Sequence, residues 1–483
     1  MQICTLTVRG LFLTSMSLTP MRRPTLVFSR WTVWALFCLF GMPVYGKTPA
    51  TKGGSDPAIA AALHGVSPAR IQATIERLVS FHTRSTLSSG TPPTPSSQGI
   101  VAAREWIRGE FERYSQACGG CLEVKTDAFT EPTGDRVPKP TEIVNVYAVL
   151  RGTDAEEAKR IVLVTGHYDS RNSDNDDTVA AAPGANDDAS GTAVSLECAR
   201  VLSRLKFPAT IVFLTVAGEE QGLYGSSHFA RMVKEKMAKE QGWQLEAVLN
   251  NDIVGGDRSD GRNPDTVRVF SEGIPLSASD EDVRRIRGLG GESDSPSRQI
   301  ARYVAETATT FGTELKPTLV FRLDRYLRGG DHSAFNREGF AGVRFTEYRE
   351  NFNHQHQNVR TENGIEYGDL AKFVDYDYVA KVARLNAATL ASLASAPAPP
   401  GKVRLQTKEL QNDSALTWEA VPRASAYEVL WRDTTSPTWD HWKPSGNETH
   451  ATLKMSKDNV IFAVRSVDAA GHRSLAVVPQ PER

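Results

Sequence analysis

The sequence has almost no net charge, few cysteines and no apolar run long enough to span a bilayer comfortably. Its 483 residues carry 56 lysines and arginines against 57 aspartates and glutamates. Without a basic excess, nothing drives the counterion release on which nucleic-acid binding depends. The chain also lacks a phosphate-binding glycine loop and a G-x-S-x-G nucleophile elbow, which excludes two common nucleotide-binding and hydrolase motifs. We therefore expect no nucleic-acid partner.

The N-terminus has the pattern of an export signal. Three arginines between positions 22 and 30 precede the apolar run 31–42, and small or turn-prone residues follow as far as Gly46. This order is typical of a secretory signal, here predicted over 1–46. An uncleaved anchor is the alternative, but the run is short for a membrane span. We expect a secreted or periplasmic protein with no stable membrane span after cleavage.

Three cysteines remain after such a cleavage. Cys118 and Cys121 form a C-G-G-C pair, and no second C-x-x-C is present to complete a zinc ribbon. In an oxidising compartment a local disulfide is the simpler interpretation than a redox centre or a zinc knuckle. Cys198 lies in an apolar helical pattern and is expected to be a buried filler.

The middle of the chain, 67–394, alternates strands and helices after a flexible lead-in over 47–66. Apolar runs that predict strands lie at 144–150, 161–165, 210–216, 247–250, 267–270, 319–321 and 343–345. The helix predicted from 190 to 205 is apolar over a wide arc, as expected for a helix that packs on a sheet. The pattern predicts an α/β fold with a mostly parallel sheet covered by helices on both faces.

A second, smaller unit is predicted after the Pro- and Ala-rich linker 395–401. Short alternating runs separated by turns indicate a β-sandwich over 402–483. Its segments LTWEAV, AYEVLWRD and FAVRSVDAAGHRS resemble a fibronectin type III module.

Polar side chains follow three neighbouring strands at the point where each strand ends. They are His167, then Glu219 and Glu220, then Asp252, while Asp187 opens the long helix. Ligands of open α/β sheets bind outside the carboxyl ends of the strands. Each motif alone has a purely structural explanation, such as a helix N-cap at Asp187, but together they predict a ligand-binding site.

Several carboxylates gathered beside an imidazole on one edge would repel one another unless cations held them. This ligand set suits zinc, and also manganese or cobalt. Two adjacent glutamates point differently, so one can bind metal while the other acts as a general base.

The segments GHYDS, PGANDDASG, TVAGEEQGLYGSSHFA and NNDIVGG resemble the zinc-dependent aminopeptidase family. Glutaminyl cyclases, glutamate carboxypeptidase and the transferrin receptor belong to the same family. GGDHSAF and GFAGVRFTE match its later segment, so the resemblance covers roughly residues 70–395. It implies a zinc exopeptidase fold.

The resemblance also implies the roles of single residues. His167 and Asp252 would hold one zinc, Glu220 and a late histidine the second, and Asp187 would bridge the two. Glu219 would be the general base. Supporting roles are implied for Asp169, which would orient His167, for Asp188, which would follow a cis peptide bond, and for Asp331 with His332.

The late histidine can be aligned in two ways. The family pattern His-x-x-x-Asp-Thr is replaced here by a segment that contains His354, His356 and Asn358. Counting back four positions from Asn358 selects His354. Aligning the preceding Glu-Asn-aromatic and Gln355 selects His356, which we favour.

The resulting prediction is an exported two-zinc aminopeptidase that acts on peptide substrates. A glutaminyl cyclase-like acyltransferase, which in this family typically uses one zinc, is one alternative. A dipeptidase or carboxypeptidase on the same metal core is another. A binding protein that has lost catalysis is disfavoured, because every ligand type and Glu219 are present.

Overall fold

The computed structural model of the protein describes residues 55–90, 98–259 and 261–482. The predicted export signal and the first part of the predicted lead-in lie outside these residues. Within them, no helix combines the length and the apolar character needed to cross a membrane.

Eight strands among the described residues form one large sheet in the order β1-β2-β4-β3-β5-β8-β6-β7. They are β1 (Leu122–Glu131), β2 (Thr141–Leu150), β3 (Arg160–His167), β4 (Thr210–Val216), β5 (Gln244–Asn251), β6 (Thr266–Ser271), β7 (Lys316–Val320) and β8 (Gly342–Glu347). The central strand β3 pairs in parallel with β4 and β5, and β5 pairs in parallel with β8. The carboxyl ends of these four strands therefore meet at one edge of the sheet.

Helices cover both faces of this sheet, which confirms the predicted α/β fold class. They are α1 (Pro57–His64), α2 (Pro68–Val79), α3 (Gly99–Ala117), α4 (Ala189–Leu202), α5 (Glu219–Gly222), α6 (Tyr224–Met232), α7 (Ala238–Gln241), α8 (Asp280–Gly288), α9 (Pro296–Phe311), α10 (Asp331–Arg337) and α11 (Tyr376–Ser395). Helix α4 is buried along almost its whole length and packs with α2 and α11 in the larger core. A smaller core, which contains Phe229 of α6, covers the opposite face.

The flexible lead-in predicted over 47–66 is wrong from Pro57 onward, where α1 begins. Asp56 caps this helix by accepting from the amides of Ala58 and Ile59, and proline at the first position is pre-organised for a helix. Ile59 and Leu63, four positions apart, are buried in the larger core. The folded body thus begins before position 67.

A hairpin and a sandwich complete the structure. The hairpin consists of β9 (Arg360–Glu362) and β10 (Ile365–Tyr367). The sandwich strands are β11 (Arg404–Gln406), β12 (Ser414–Thr417), β13 (Ala426–Asp433), β14 (His441–Gly446), β15 (His450–Leu453), β16 (Val460–Val467) and β17 (Gln480–Glu482). A four-stranded and a three-stranded sheet enclose a separate core around Trp418 and Tyr427. The fibronectin type III resemblance stays a prediction.

The segment predicted as a linker is anchored at its start. Helix α11 continues to Ser395, and the carbonyls of Leu393, Ala396 and Pro397 accept hydrogen bonds from the guanidinium of Arg160 at 3.3, 2.8 and 3.2 Å. Arg160 lies at the start of β3 and is 5% exposed. A buried arginine thus fixes the point where the chain leaves the large sheet.

The cysteines behave as the sequence predicts. Cys118 and Cys121 form a disulfide, and Cys198 is a buried free thiol inside α4.

Candidate metal centre

The predicted residues meet at the carboxyl edge of the parallel strands. His167 is the last residue of β3, Glu219 and Glu220 open α5 directly after β4, and Asp252 follows β5. The remaining ligand candidates come from loops, Asp187 before α4 and His356 after β8. Five separate segments therefore contribute to one site, which requires the sheet to be assembled first.

The side chains form two adjacent groups that could each hold a metal ion. One contains His167, Glu219 and Asp252, and the other contains Asp187, Glu220 and His356. Within each group, one candidate ligand atom per residue lies within 4.8 Å of the others. Glu219 is half-buried, unlike the other carboxylates, so it is the one with access to a substrate.

Asp187 connects the two groups through its two carboxylate oxygens. Its Oδ1 lies 3.1 Å from Nε2 of His167, and its Oδ2 lies 2.9 Å from Nε2 of His356. Oε1 of Glu220 is 3.0 Å from the same nitrogen of His356. Because each oxygen faces a different histidine, this carboxylate can serve two ions at once.

The chemistry of these donors fits zinc. Three candidate ligand atoms, Nε2 of His167, Nε2 of His356 and Oε1 of Glu220, are buried and lie close to one another or to Asp187, but none of them has a partner at an angle that allows a hydrogen bond within the described protein. Buried polar atoms normally have one. Two imidazole nitrogens and several carboxylates match the ligands that zinc takes in proteins.

The electrostatics of the site point the same way. Burial raises the pKa of Glu219 well above its usual value; His167 opposes this shift, and the carboxylates of Asp252, Glu220 and Asp331 add to it. Burial also raises the pKa of Asp252, against the effect of Arg344. Burial alone would lower the pKa of His167, but Asp169 and Asp187 raise it well above its usual value. Carboxylates crowded in this way favour a bound cation.

Asp169 and Asp188 support His167 from two sides. Oδ1 of Asp169 lies 3.3 Å from Nδ1 of His167, the position from which a carboxylate orients a ligating imidazole. Asp188 accepts from the amide of His167 at 3.0 Å and from the amide of Gly191 at 2.8 Å, so it joins β3 to the start of α4. The Asp187–Asp188 peptide bond is cis, as the resemblance implies.

The structure separates the two late histidines. His356 reaches the second group, whereas His354 pairs with Asp257 and stacks on Phe373 with ring centroids 3.7 Å apart. His354 therefore faces away from the two groups and stabilises the segment that carries His356. Gln355, between them, donates to Oδ2 of Asp187 at 2.8 Å.

Asp331 and His332 lie at the start of α10 beside the centre, and neither belongs to the two groups. Both carboxylate oxygens of Asp331 are buried without a hydrogen-bond partner among the described residues. Nε2 of His332 contacts the carbonyl of Leu323 at 2.9 Å. Burial lowers the pKa of His332 to about 4, although Asp324 opposes the shift.

Two arginines at the centre were missed in the sequence. Arg344, which is fully buried, lies 2.8 Å from Oδ1 of Asp252 and 3.1 Å from Oδ2 of Asp324. Arg171 lies 2.9 Å from Oε2 of Glu220 and 2.6 Å from Nδ1 of His356. Arg171 directly follows the GHYDS segment, and this position is the one feature of the sequence that indicates its role. Arg344 falls inside a quoted segment, but its pairing with Asp252 crosses 92 positions.

A further buried arginine shapes the loops that carry the ligands. Arg84 donates to the carbonyls of Tyr168, Pro183 and Gly184 at 2.7, 2.6 and 2.8 Å. It thus joins the loop after His167 to the loop before Asp187. No motif in the sequence identifies Arg84.

Comparisons with known proteins show what this chain is similar to. The model of peptidase family M28 matches residues 145–377. A probable zinc metalloprotease of Pyricularia oryzae is 46% identical over 437 residues, which cover 88% of this chain and 85% of the relative. A probable zinc metalloprotease of Leptosphaeria maculans is 45% identical over 428 residues, covering 88% and 97%. The LapA aminopeptidase of Legionella pneumophila is 21% identical, with a TM-score of 0.49 over 70% of this chain and 74% of that one.

The identity and coverage of the two fungal relatives, together with a donor set that fits zinc, lead to one conclusion: the chain belongs to peptidase family M28 and is a zinc-dependent metallopeptidase.

Proposed function

We propose that the protein is an exported aminopeptidase that uses two zinc ions to remove N-terminal residues from peptides. The observation that carries this proposal is the position of Asp187, whose two oxygens face His167 and His356 at 3.1 and 2.9 Å. His167 and Asp252 would hold one ion, and Glu220 and His356 the other. Manganese or cobalt could replace zinc on the same donors.

Glu219 would move the proton during hydrolysis. When bound, zinc supplies a Lewis acid that polarises the scissile carbonyl and makes water more acidic. The carboxylate of Glu219 takes a proton from the attacking water and delivers it to the nitrogen of the leaving amine. Glu219 is the half-buried carboxylate of the centre, so it can reach a bound peptide without leaving the first ligand group.

The surrounding charges favour a free amino end over a free carboxyl end. Arg171 is paired with Glu220, and Arg344 with Asp252. Two further arginines of the nearby loop, Arg325 and Arg328, share the carboxylate of Glu350 at 2.7 and 2.9 Å. These four guanidiniums are thus committed to protein carboxylates, so they are poorly placed to bind the carboxylate of a peptide.

A matched peptide series tests which end is attacked. The same short peptide is offered with both ends free, with an acetylated N-terminus, and with an amidated C-terminus. We expect the first and third to be cleaved and the second to resist. Cleavage of the acetylated peptide with rejection of the amidated one would indicate a carboxypeptidase instead.

The metal content tests the second part of the proposal. We expect about two zinc ions per chain, loss of activity with a chelator, and recovery with added zinc. One ion per chain, with cyclisation of N-terminal glutamine in place of hydrolysis, would favour the acyltransferase alternative.

Export is proposed from the sequence pattern at the N-terminus and is supported by the Cys118–Cys121 disulfide, since disulfides persist in oxidising compartments. N-terminal sequencing of protein recovered from the culture medium of its native host is the test. A mature N-terminus near position 47 is expected. Recovery of the protein only from the cytoplasmic fraction would contradict export.

A further inference from the structure

The sandwich contacts the large sheet through a column of stacked cations and rings. Arg302 of α9 lies between two aromatic rings, with its guanidinium carbon 5.2 Å from the centroid of Phe321 and 5.5 Å from that of Trp439. Arg432 lies 5.5 Å from the same Trp439 ring. Arg302 and Arg432 are 3% and 1% exposed, so these cation–π contacts form in a dry interface where they are strongest.

Polar contacts between the sandwich and the region of α9 also hold these stacked side chains together. Asp294, before α9, accepts from Arg432 at 2.7 Å and lies 3.4 Å from Arg302. Arg302 also donates to the carbonyl of Pro437 at 2.8 Å, and the indole nitrogen of Trp439 donates to Gln299 at 3.2 Å. These contacts hold both buried guanidiniums, although Nη1 of Arg302 and Nε of Arg432 have no hydrogen-bond partner among the described residues.

The column ends at a loop that reaches the metal centre. Phe321 immediately precedes residues 322–330, which we name the Asp324 loop. The buried carboxylate of Asp324 contacts Arg344 at 3.1 Å, and Arg344 contacts Asp252 at 2.8 Å. The carbonyl of Gly329, in the same loop, also accepts from Arg344 at 2.7 Å. Contacts at both ends, joined by the backbone from Phe321 to Asp324, therefore connect the sandwich to a candidate zinc ligand.

We propose that Trp439 of the sandwich is a positioning residue for the metal centre, and that it holds the Asp324 loop by fixing Arg302 against Phe321. The C-terminal sandwich is accordingly a structural part of the active site. The link to Asp252 rests on the proposed zinc-binding role of that residue, whereas the link to the Asp324 loop does not.

The physical consequence of losing the Trp439 ring is specific. Arg302 would keep Phe321 on one side and gain water on the other, so its guanidinium would be held only by its polar contacts with Asp294, Ser293 and Pro437. Phe321 would then lose one of its two stacked cations and keep Arg298, whose guanidinium carbon lies 4.5 Å from the ring centroid. With this weaker support, the loop that follows would open more often. Opening of this kind is measured by amide exchange.

The experiment is hydrogen exchange on the full-length mature protein, without substrate, in peptides that cover 322–330. The amide of Arg328 donates to the carbonyl of Arg325 at 3.3 Å. The amide of Arg325 donates to Oδ1 of Asp324 at 2.6 Å. We expect these amides to exchange at least tenfold faster in Trp439→Ala. Trp439→Phe keeps a ring for Arg302 and should restore most of the protection.

The matched control is Trp431→Ala. Trp431 is also a half-buried tryptophan of the sandwich, but it packs on the sandwich core and stacks on His441. In Trp431→Ala the exchange rate over 322–330 should stay within twofold of that in the parent protein. Equal acceleration in both alanine variants, or none in Trp439→Ala, overturns the proposal.

Arg302→Met provides a second variant in case Trp439→Ala does not fold. Methionine keeps the apolar stem and removes the cation, and the same tenfold acceleration is expected; unchanged exchange overturns the proposal. Zinc affinity, measured by competition with a chelating dye, should fall several-fold in the variants with fast exchange. Because exchange needs neither zinc nor substrate, a parent protein that binds no zinc would refute the proposed function while leaving the exchange result to decide the role of Trp439.

Discussion

Oδ2 of Asp369 accepts a hydrogen bond from the backbone amide of Asp187 at 2.7 Å, across 182 positions of sequence. Both oxygens of Asp369 also accept from the neighbouring amide of Asn186, at 2.8 and 2.9 Å. Asp369 is 5% exposed. A single buried carboxylate thus fixes the backbone on which the proposed bridging ligand is carried.

Replacing Asp369 by alanine should weaken zinc binding. Hydrogen bonds to a charged group contribute about 1.5–3 kcal/mol each, so the loss of part of this support corresponds to about a tenfold or greater decrease in affinity. Asp369→Asn keeps one acceptor oxygen, so its zinc affinity should lie between those of the parent protein and Asp369→Ala. Titration calorimetry with zinc makes the measurement, and equal affinities in all three proteins would show that Asp369 does not position Asp187.

Glu219→Gln should keep zinc and lose activity. The amide retains the shape of the side chain but cannot accept the proton, and general base catalysis contributes about 10²–10⁴-fold to the rate. The turnover number should fall by that factor, with metal content by mass spectrometry unchanged. A near-parental rate would refute the role of Glu219 as base.

His356→Ala and His354→Ala form a matched pair. His356 faces Asp187 and Glu220 at 2.9 and 3.0 Å, whereas His354 pairs with Asp257. We expect the first variant to retain about one zinc ion less per chain and to be inactive. The second should keep the full metal content with a lower melting temperature. The opposite result would assign the ligand to His354.

Removing the metal should destabilise the fold. The buried carboxylates of the centre would then lack a counter-cation, and a ligand present at 1,000 times its dissociation constant stabilises a protein by about 4 kcal/mol. Calorimetric scans with and without chelator should show a lower melting temperature for the metal-free protein, restored by zinc. A melting temperature that does not respond to zinc would argue against a bound ion at this site.

A pH effect is expected at Glu272, which lies after β6 and accepts from the amide of Leu276 at 2.9 Å. Burial raises the pKa of Glu272 to about 7 from an ordinary value of 4.5, although its hydrogen bonds to Leu276 and Ser297 oppose the shift. Between these two pH values the unfolded chain has lost the proton that the folded protein still holds. The contribution of Glu272 to the free energy of unfolding therefore falls as the pH rises from about 4.5 to about 7, and is constant above.

Urea denaturation of Glu272→Gln and the parent protein at pH 5, 6, 7 and 8 checks this expectation. The difference between the two proteins isolates Glu272 from the other titrating groups. The variant should gain stability relative to the parent as the pH rises to 7. Parallel pH profiles would contradict the raised pKa.

Those site residues that directly follow a strand could be predicted from the sequence. His167, Glu220 and Asp252 each follow an apolar run, and such runs mark buried parallel strands, so their convergence follows from the order of runs along the chain. Asp187 was found because it opens a long apolar helix. The choice of His356 over His354 remains a prediction for the variants above to decide, although the structure brings only His356 to the centre.

The supporting residues could not be predicted in the same way. Arg84, Arg344 and Asp369 act through contacts with backbone or side-chain atoms that are distant in the sequence, and no spacing along the chain encodes such contacts. Helix α1 was missed because its flanking residues are polar and it is short. Its burial depends on a core that only the assembled sheet provides.

The anchoring of the chain by Arg160 has a mechanical consequence. Without this anchor, a short proline-rich spacer alone would set the orientation of the sandwich to the large sheet. Because Arg160 holds the carbonyls of Leu393, Ala396 and Pro397, the chain leaves the large sheet at one fixed point and in one direction. The position of the sandwich therefore does not depend on the composition of the linker alone.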